Sequence, residues 1–262
     1  MNIAVVVPIY KKRKELSDED KSFIIQIKKI FYRRPIFLVL PKSIEQEWTE
    51  DNTFNIIPFE DKFFKNKLSY SNLLCKELFY NSFADFDYIQ VVQTDCWVFD
   101  DKLDYFISGN FDYIGAPWMV NGFEGKPIPK LWKVGNGGFS LRKVSTFLYI
   151  IDQINNSKTG LLPVFQDTRK GLIGVLKTRG LRNNLRHYIK SPPGEDIFWS
   201  IYVPAIFNDN EFKIADLLTA ANYSFEVLPE FLFNEITVKR LPMGCHNWMN
   251  NNPDFWKNYI NY

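Results

Sequence analysis

Residues 3–7 read Ile-Ala-Val-Val-Val and run straight into Pro8. An apolar run with no polar alternation is the pattern of a short strand buried on both faces, and such strands belong to parallel sheets covered by helices on each side. Proline has no amide donor, so the strand stops there and its end opens onto a crevice. Ser17 followed three residues later by Asp20 makes a capping signature, and Phe23, Ile24, Ile27 and Ile30 continue it at helical spacing. Short apolar runs at Ile36 to Leu40, closed by Pro41, and at Asn55 to Pro58 predict two further strands. The first sixty residues therefore alternate β, α, β, β, and an open, mostly parallel sheet is the economical architecture.

Further along, Leu73, Leu74, Leu78 and Phe79 predict one helix over Tyr70 to Phe83, and Tyr88 to Val92 is the most strand-like stretch in the middle of the chain. That strand leads into Gln93-Thr94-Asp95-Cys96-Trp97, which puts Asp95 at the carboxyl end of a buried strand, where ligands of open α/β sheets bind. A second polar cluster alternates short strands with glycine turns through Gly115-Ala-Pro-Trp118 and Val134-Gly-Asn-Gly-Gly-Phe-Ser-Leu-Arg142. With 46% hydrophobic and 24% charged residues over 262 positions, neither disorder nor a small disulfide scaffold is in question. The chain reads as one α/β domain over 1–262, with a basic insertion at about 160–192.

Charge and cysteine content narrow the partners. Thirty-two Lys and Arg stand against 30 Asp and Glu, so no nucleic acid is demanded. The imbalance is local: Thr168 to Lys190 carries seven Lys or Arg and no carboxylate, interleaved with Leu172, Ile173, Leu176, Leu181 and Leu185. Such a segment suits an anionic membrane face or a phosphate-bearing acceptor as well as it suits a solvated insertion. The cysteines Cys75, Cys96 and Cys245 form no CxxC pair, and the apolar run at the amino terminus is too short for a signal peptide or a membrane span. The expected address is cytoplasmic, with peripheral contact to the inner face of the cell membrane through the basic segment.

The candidate chemistry lies in two acidic positions and one histidine. Asp95 at a sheet edge needs a cationic partner or a metal. His246, in the loop Pro242-Met-Gly-Cys-His-Asn-Trp248, would complete an octahedral Mn²⁺ or Mg²⁺ site with a substrate phosphate. Cys96 and Cys245 beside them raise a zinc site as a rival. Neighbours on an extended strand point to opposite faces, so Asp95 and Cys96 are not expected to converge. Glu195-Asp196 follows Pro192-Pro-Gly194 at a helix start, one carboxylate capping the helix and the other facing the pocket as general base, in either order. Trp97, Trp118, Trp132, Trp199 and Trp248 stand beside these motifs, and indole faces are platforms for sugar rings. Trp199, inside a helix, reads as core.

The strings VVVPIYK, ELSxxD, YSNLL, FDYIQVVQTDCWVF, FDYIGAPW, VGNGGFSLRKV, GEDIFWS and LPMGCHNW, in that order, resemble a bacterial family of GT-A-type glycosyltransferases of capsule and O-antigen gene clusters. The resemblance implies a GT-A-like mixed sheet flanked by helices and transfer of a sugar from a nucleotide-sugar donor, a UDP-sugar foremost, to a hydroxyl of a surface-glycan or lipid-linked acceptor. It implies donor contacts from Pro8, Ile9, Tyr10, Asn72, Gln93 and Thr94. Asn136, Gly137 and Gly138 would form a wall whose missing side chains admit a sugar ring. It also implies a divalent metal on Asp95 and His246, with Gln93 where the family's DxD motif has its first carboxylate, and a base for inversion at Asp196 or Glu195. Two other functions remain compatible with the same residues: an inactive glycan- or nucleotide-binding module, and a nucleotidyltransferase.

Overall fold

The computed structural model describes residues 1–49, 52–120, 128–156, 160–162 and 182–260. Strand β1 (Ile3–Pro8) is buried along its whole length. After the capped helix α1 (Asp18–Ile30), the chain returns to the sheet as β2 (Ile36–Pro41) and β3 (Asn55–Phe59). It then forms the short helices α2 (Lys67–Leu73) and α3 (Glu77–Asn81), followed by β4 (Tyr88–Val92). β1 pairs in parallel with β2 on one side, Val5 opposite Ile36, and with β4 on the other, Ile3 opposite Tyr88. The chain thus fills one side of β1 before crossing to the other, and the change of direction between β1 and β4 leaves a crevice beyond their carboxyl ends.

Past β4 come β5 (Cys96–Val98), α4 (Leu103–Ser108), β6 (Tyr113–Ile114), the hairpin β7 (Pro117–Val120) and β8 (Lys130–Val134), β9 (Phe139–Lys143) and α5 (Val144–Asn156). The main sheet has the order β3-β2-β1-β4-β9-β6, with β9 antiparallel to both of its neighbours. It is a mixed sheet flanked by helices, as the resemblance implies; the residue pattern alone predicts a mostly parallel one. Alternation along β1 divides the core. Ala4 and Val6 join Phe79, Tyr80, Phe147 and Trp199 on one face, while Ile3, Val5 and Val7 join Phe23, Ile27, Phe106 and Tyr223 on the other. Each fully buried valine of the strand contributes roughly 1.5–3 kcal/mol of apolar burial. A second sheet, β10 (Ser224–Phe225), β11 (Gly244–His246) and β5, closes the end of the molecule, with His246 opposite Cys96.

The capping signature forms as expected: Asp20 N–H donates to Ser17 Oγ at 3.2 Å and Ser17 N–H to Asp20 Oδ2 at 2.9 Å. The single helix expected over Tyr70 to Phe83 does not form. The chain breaks between α2 and α3, because the Leu74 carbonyl is taken by side chains, the Tyr80 hydroxyl at 2.9 Å and the Trp199 indole N–H at 3.2 Å. The break turns Leu78 out to solvent. Of the basic stretch from Thr168 to Lys190, residues 168–181 lie outside the described residues, and with them most of the expected membrane-contact surface. Arg186 donates to the carbonyls of Ile154 and Asn155, and Leu185 packs in the core. Among the described residues no helix is long and apolar enough to cross a membrane.

Candidate functional site

A cleft of about 700 Å³ opens at the carboxyl ends of β1 and β4. Pro8, Tyr10, Gln93, Thr94, Asp95, Glu195 and His246 all line it, so residues far apart in sequence converge there. Asp95 lies in a turn closed by the Cys96 amide donating to the Gln93 carbonyl at 3.0 Å. The antiparallel pairing of β11 with β5 then carries His246 alongside. Asp95 Oδ1 faces His246 Nε2 at 3.4 Å, and the other ring nitrogen, Nδ1, meets Glu226 Oε1 at 3.0 Å. Burial opposes protonation of this ring, but the two carboxylates outweigh it and push its pKa up to about 10. Burial likewise works against the charge of Asp95, and the histidine with Lys67 nevertheless holds its carboxyl below the usual range.

The donor set fits a divalent cation. Asp95 Oδ1 is buried and makes no good hydrogen bond, its 3.4 Å contact being longer than the roughly 2.7–3.2 Å of a sound N–H···O bond. Gly138 lies against the same space. A Cβ there would collide with the His246 ring and crowd Gln93 Oε1. The carboxylate of Glu226 behind the imidazole is the outer partner that metal-ligating histidines characteristically carry. Sequence reasoning placed Asp95 and His246 together but missed Glu226. The cluster also contains the sulfur that strand alternation was expected to exclude: ligand atoms of Asp95, Cys96 and His246 all lie within 4.8 Å of one another. The expectation fails because Asp95 precedes β5 in a turn, where strand alternation does not apply.

The glycine turn plays a different part from the one the resemblance implies. Asn136 sits in the left-handed region at φ 72°, and its Oδ1 accepts from the amides of Gly138 at 2.8 Å and Phe139 at 3.3 Å. Asn136, Gly137 and Gly138 are not among the residues that line the cleft. They lie behind lining residues, and the bare glycines make room for protein groups: a Cβ on Gly137 would strike the Glu195 carboxylate, as one on Gly138 would strike His246. Ile9 is packed in the core at 1% exposure, and Asn72 donates to the Lys190 carbonyl at 2.6 Å outside the lining.

Of the two adjacent carboxylates, Glu195 lines the cleft and Asp196 does not. Glu195 accepts from Arg142 Nη2 at 3.2 Å and from Ser71 Oγ at 3.1 Å. Arg142 is completely buried. Its other donors reach Ser140 Oγ, the Tyr80 hydroxyl and the Gly137 carbonyl, so one guanidinium ties the glycine turn to the acidic helix start. Nothing in the periodicity singled Arg142 out. Lys67, Tyr70 and Ser71, on one face of α2, also line the cleft and were not expected.

Asp196 instead accepts the amide of Ile197 at 2.8 Å, and burial together with the charge of Glu195 pushes its carboxyl up to about 6. A folded value above the ordinary 3.8 means the folded state holds more protons between those limits, so stability falls as pH rises from about 4 to about 6. The cost is fully present above that window, up to about 3 kcal/mol. Asp196→Asn is expected to raise the thermal midpoint at pH 7, with the gain disappearing below about pH 4. Thermal melts across that range check this, and an unchanged midpoint at pH 7 would refute it.

A family model described as "Protein of unknown function (DUF5672)" matches residues 53–246. The chain belongs to this family. The DUF5672 match contains Asp95, the glycine turn and Glu195, and it ends on His246; Tyr10 and Asp20 precede it. No curated protein matches the chain. Among solved structures, mouse xyloside xylosyltransferase 1 in its apo form is 10% identical over 94% of this chain and 97% of its own, at a TM-score of 0.49. A glycosyltransferase involved in glycosylation of the major capsid of PBCV-1 is 11% identical over 98% of both chains, at 0.47. The galactosyltransferase LgtC, in complex with donor and acceptor sugar analogues, is 8% identical over 93% of this chain and 86% of its own, at 0.47.

Proposed function

We propose that this chain is a GT-A-type glycosyltransferase that moves a sugar from a nucleotide donor, a UDP-sugar foremost, to a hydroxyl of a saccharide acceptor. The observation that carries the reading is the buried, unsatisfied Asp95 oxygen facing His246, with Glu226 behind and bare Gly138 beside, at the switch point of the sheet. Asp95 and His246 would hold a divalent cation, Mn²⁺ or Mg²⁺, which when bound supplies positive charge to the departing diphosphate.

The remaining roles follow from position. Tyr10 offers an exposed ring at the end of β1 for the donor's base. Glu226 fixes the tautomer and orientation of His246. Glu195 is the carboxylate within reach of a substrate; pinned by Arg142 and Ser71, it accepts the proton of the acceptor hydroxyl in an inverting transfer. Trp118 and Trp132, stacked with ring centroids 6.3 Å apart and Trp132 exposed, offer a sugar-binding face on the hairpin.

Thermal melts with a panel of sugar nucleotides test the reading. With Mn²⁺, one of them at about 100 times its Kd should stabilise the protein by about 2.7 kcal/mol, and without metal the shift should vanish. If no sugar nucleotide raises the midpoint in the presence of metal, the reading is wrong. A bound donor that is never consumed, even with acceptor glycans supplied, would mark a binding module. Release of pyrophosphate from a nucleoside triphosphate would mark a nucleotidyltransferase.

A further inference from the structure

Cys96 is the one member of the Asp95 cluster that the proposed function leaves unused. Its side chain is fully buried at the start of β5, and its thiol donates to the Gly138 carbonyl at 3.2 Å. It is nonetheless part of a shared space. Its sulfur, an Asp95 oxygen and a His246 nitrogen lie mutually within 4.8 Å, brought together by the turn before β5 and by the register that sets His246 opposite Cys96. A further observation points into that space: Asp95 Oδ1 is buried without a hydrogen-bond partner.

We propose that this centre has a second metal state, in which a thiophilic cation of the Zn²⁺ class takes Asp95, Cys96 and His246 together. Hard cations such as Mn²⁺ take oxygen and imidazole and leave the thiol protonated, whereas zinc binds carboxylate, imidazole and thiolate alike. Zinc–ligand bonds of about 2.0–2.3 Å in a tetrahedral shell bring ligand atoms to roughly 3.3–3.6 Å of one another, so side-chain movements of about an ångström close the present spacing. Binding releases the Cys96 thiol proton and the Nε2 proton of His246 to solvent, and the Nδ1 proton stays on the bond to Glu226. Burial opposes thiolate formation by Cys96, which is why only a metal with high affinity for sulfur completes this shell. The consequence is regulatory. Zinc and the hard cation compete for Asp95 and His246, and a zinc ion held through sulfur blocks the state that serves a diphosphate.

The inference concerns the centre on which the proposed function rests, but its test needs no nucleotide. Co²⁺ alone, titrated into the full-length protein, reports sulfur ligation through a sulfur-to-cobalt charge-transfer band that oxygen and nitrogen ligands do not give. The band is expected in wild type, to be removed by Zn²⁺, and to be absent from Cys96→Ala and Cys96→Ser. It should also be absent from His246→Ala, which keeps every cysteine and guards against a Cys96 variant that does not fold. Zn²⁺ affinity should fall by more than about 100-fold in the Cys96 variants, beyond what loss of an outer-shell partner costs, while Mn²⁺ affinity stays unchanged. No band in wild type, a band that survives either the cysteine or the histidine substitution, or unchanged Zn²⁺ affinity overturns the proposal. Failure of the sugar-nucleotide melts with a positive cobalt band would reject the glycosyltransferase reading alone.

Discussion

Asp95→Asn is expected to abolish metal-supported binding of a sugar nucleotide and to lower sugar transfer by about 10³-fold. Charge stabilisation of a leaving group by a bound metal is worth several kcal/mol, at about 1.4 kcal/mol per tenfold in rate. The substitution keeps the shape of the side chain and removes its charge; the His246 ring keeps its second carboxylate partner, Glu226, and the altered oxygen makes no protein hydrogen bond. The fold should therefore survive. His246→Ala should act in the same direction, because its ring nitrogen faces the same oxygen at 3.4 Å. Glu226→Gln, which alters only the partner of Nδ1, should weaken metal affinity by about 10- to 100-fold. Calorimetric titration of Mn²⁺ with and without nucleotide reads all three variants. An Asp95→Asn protein with the wild-type Mn²⁺ response would remove the metal assignment.

Arg142→Met should produce the largest loss of stability of any single change in the site. The guanidinium is wholly buried and is the cationic partner of Glu195, itself only 5% exposed. Removing one member of a buried ion pair leaves the other charged, desolvated and unpaired, at a cost of about 3–5 kcal/mol. Here the Gly137 carbonyl and Ser140 hydroxyl lose a donor as well. The double variant Arg142→Met with Glu195→Gln should recover part of that loss, because it neutralises the stranded charge. Urea denaturation of the two single variants and the double variant measures the coupling. A loss below about 1 kcal/mol in Arg142→Met would show that the pair does not hold this part of the site together.

The sequence by itself determined the framework on which this chemistry stands. β1, β2, β4 and the capped start of α1 are local features: short runs of strand-forming residues, closed by proline in β1 and β2, and a Ser17–Asp20 box whose partners are three residues apart. Asp95 was legible for the same reason, since the end of a buried strand in a parallel sheet is a defined place. What happens inside the site was decided only by tertiary structure. Leu74 carries helical spacing, but its carbonyl is claimed by Tyr80 and Trp199, and the second of these comes from 125 residues away, so the helix breaks. Alternation was the wrong rule for Asp95 and Cys96, because a turn intervenes and a strand from the far end of the chain sets His246 opposite Cys96. The bare glycines of the turn were visible as bare glycines. That they make room for Glu195 and His246 depends on where two distant segments cross them, and no spacing within a single segment encodes such a crossing.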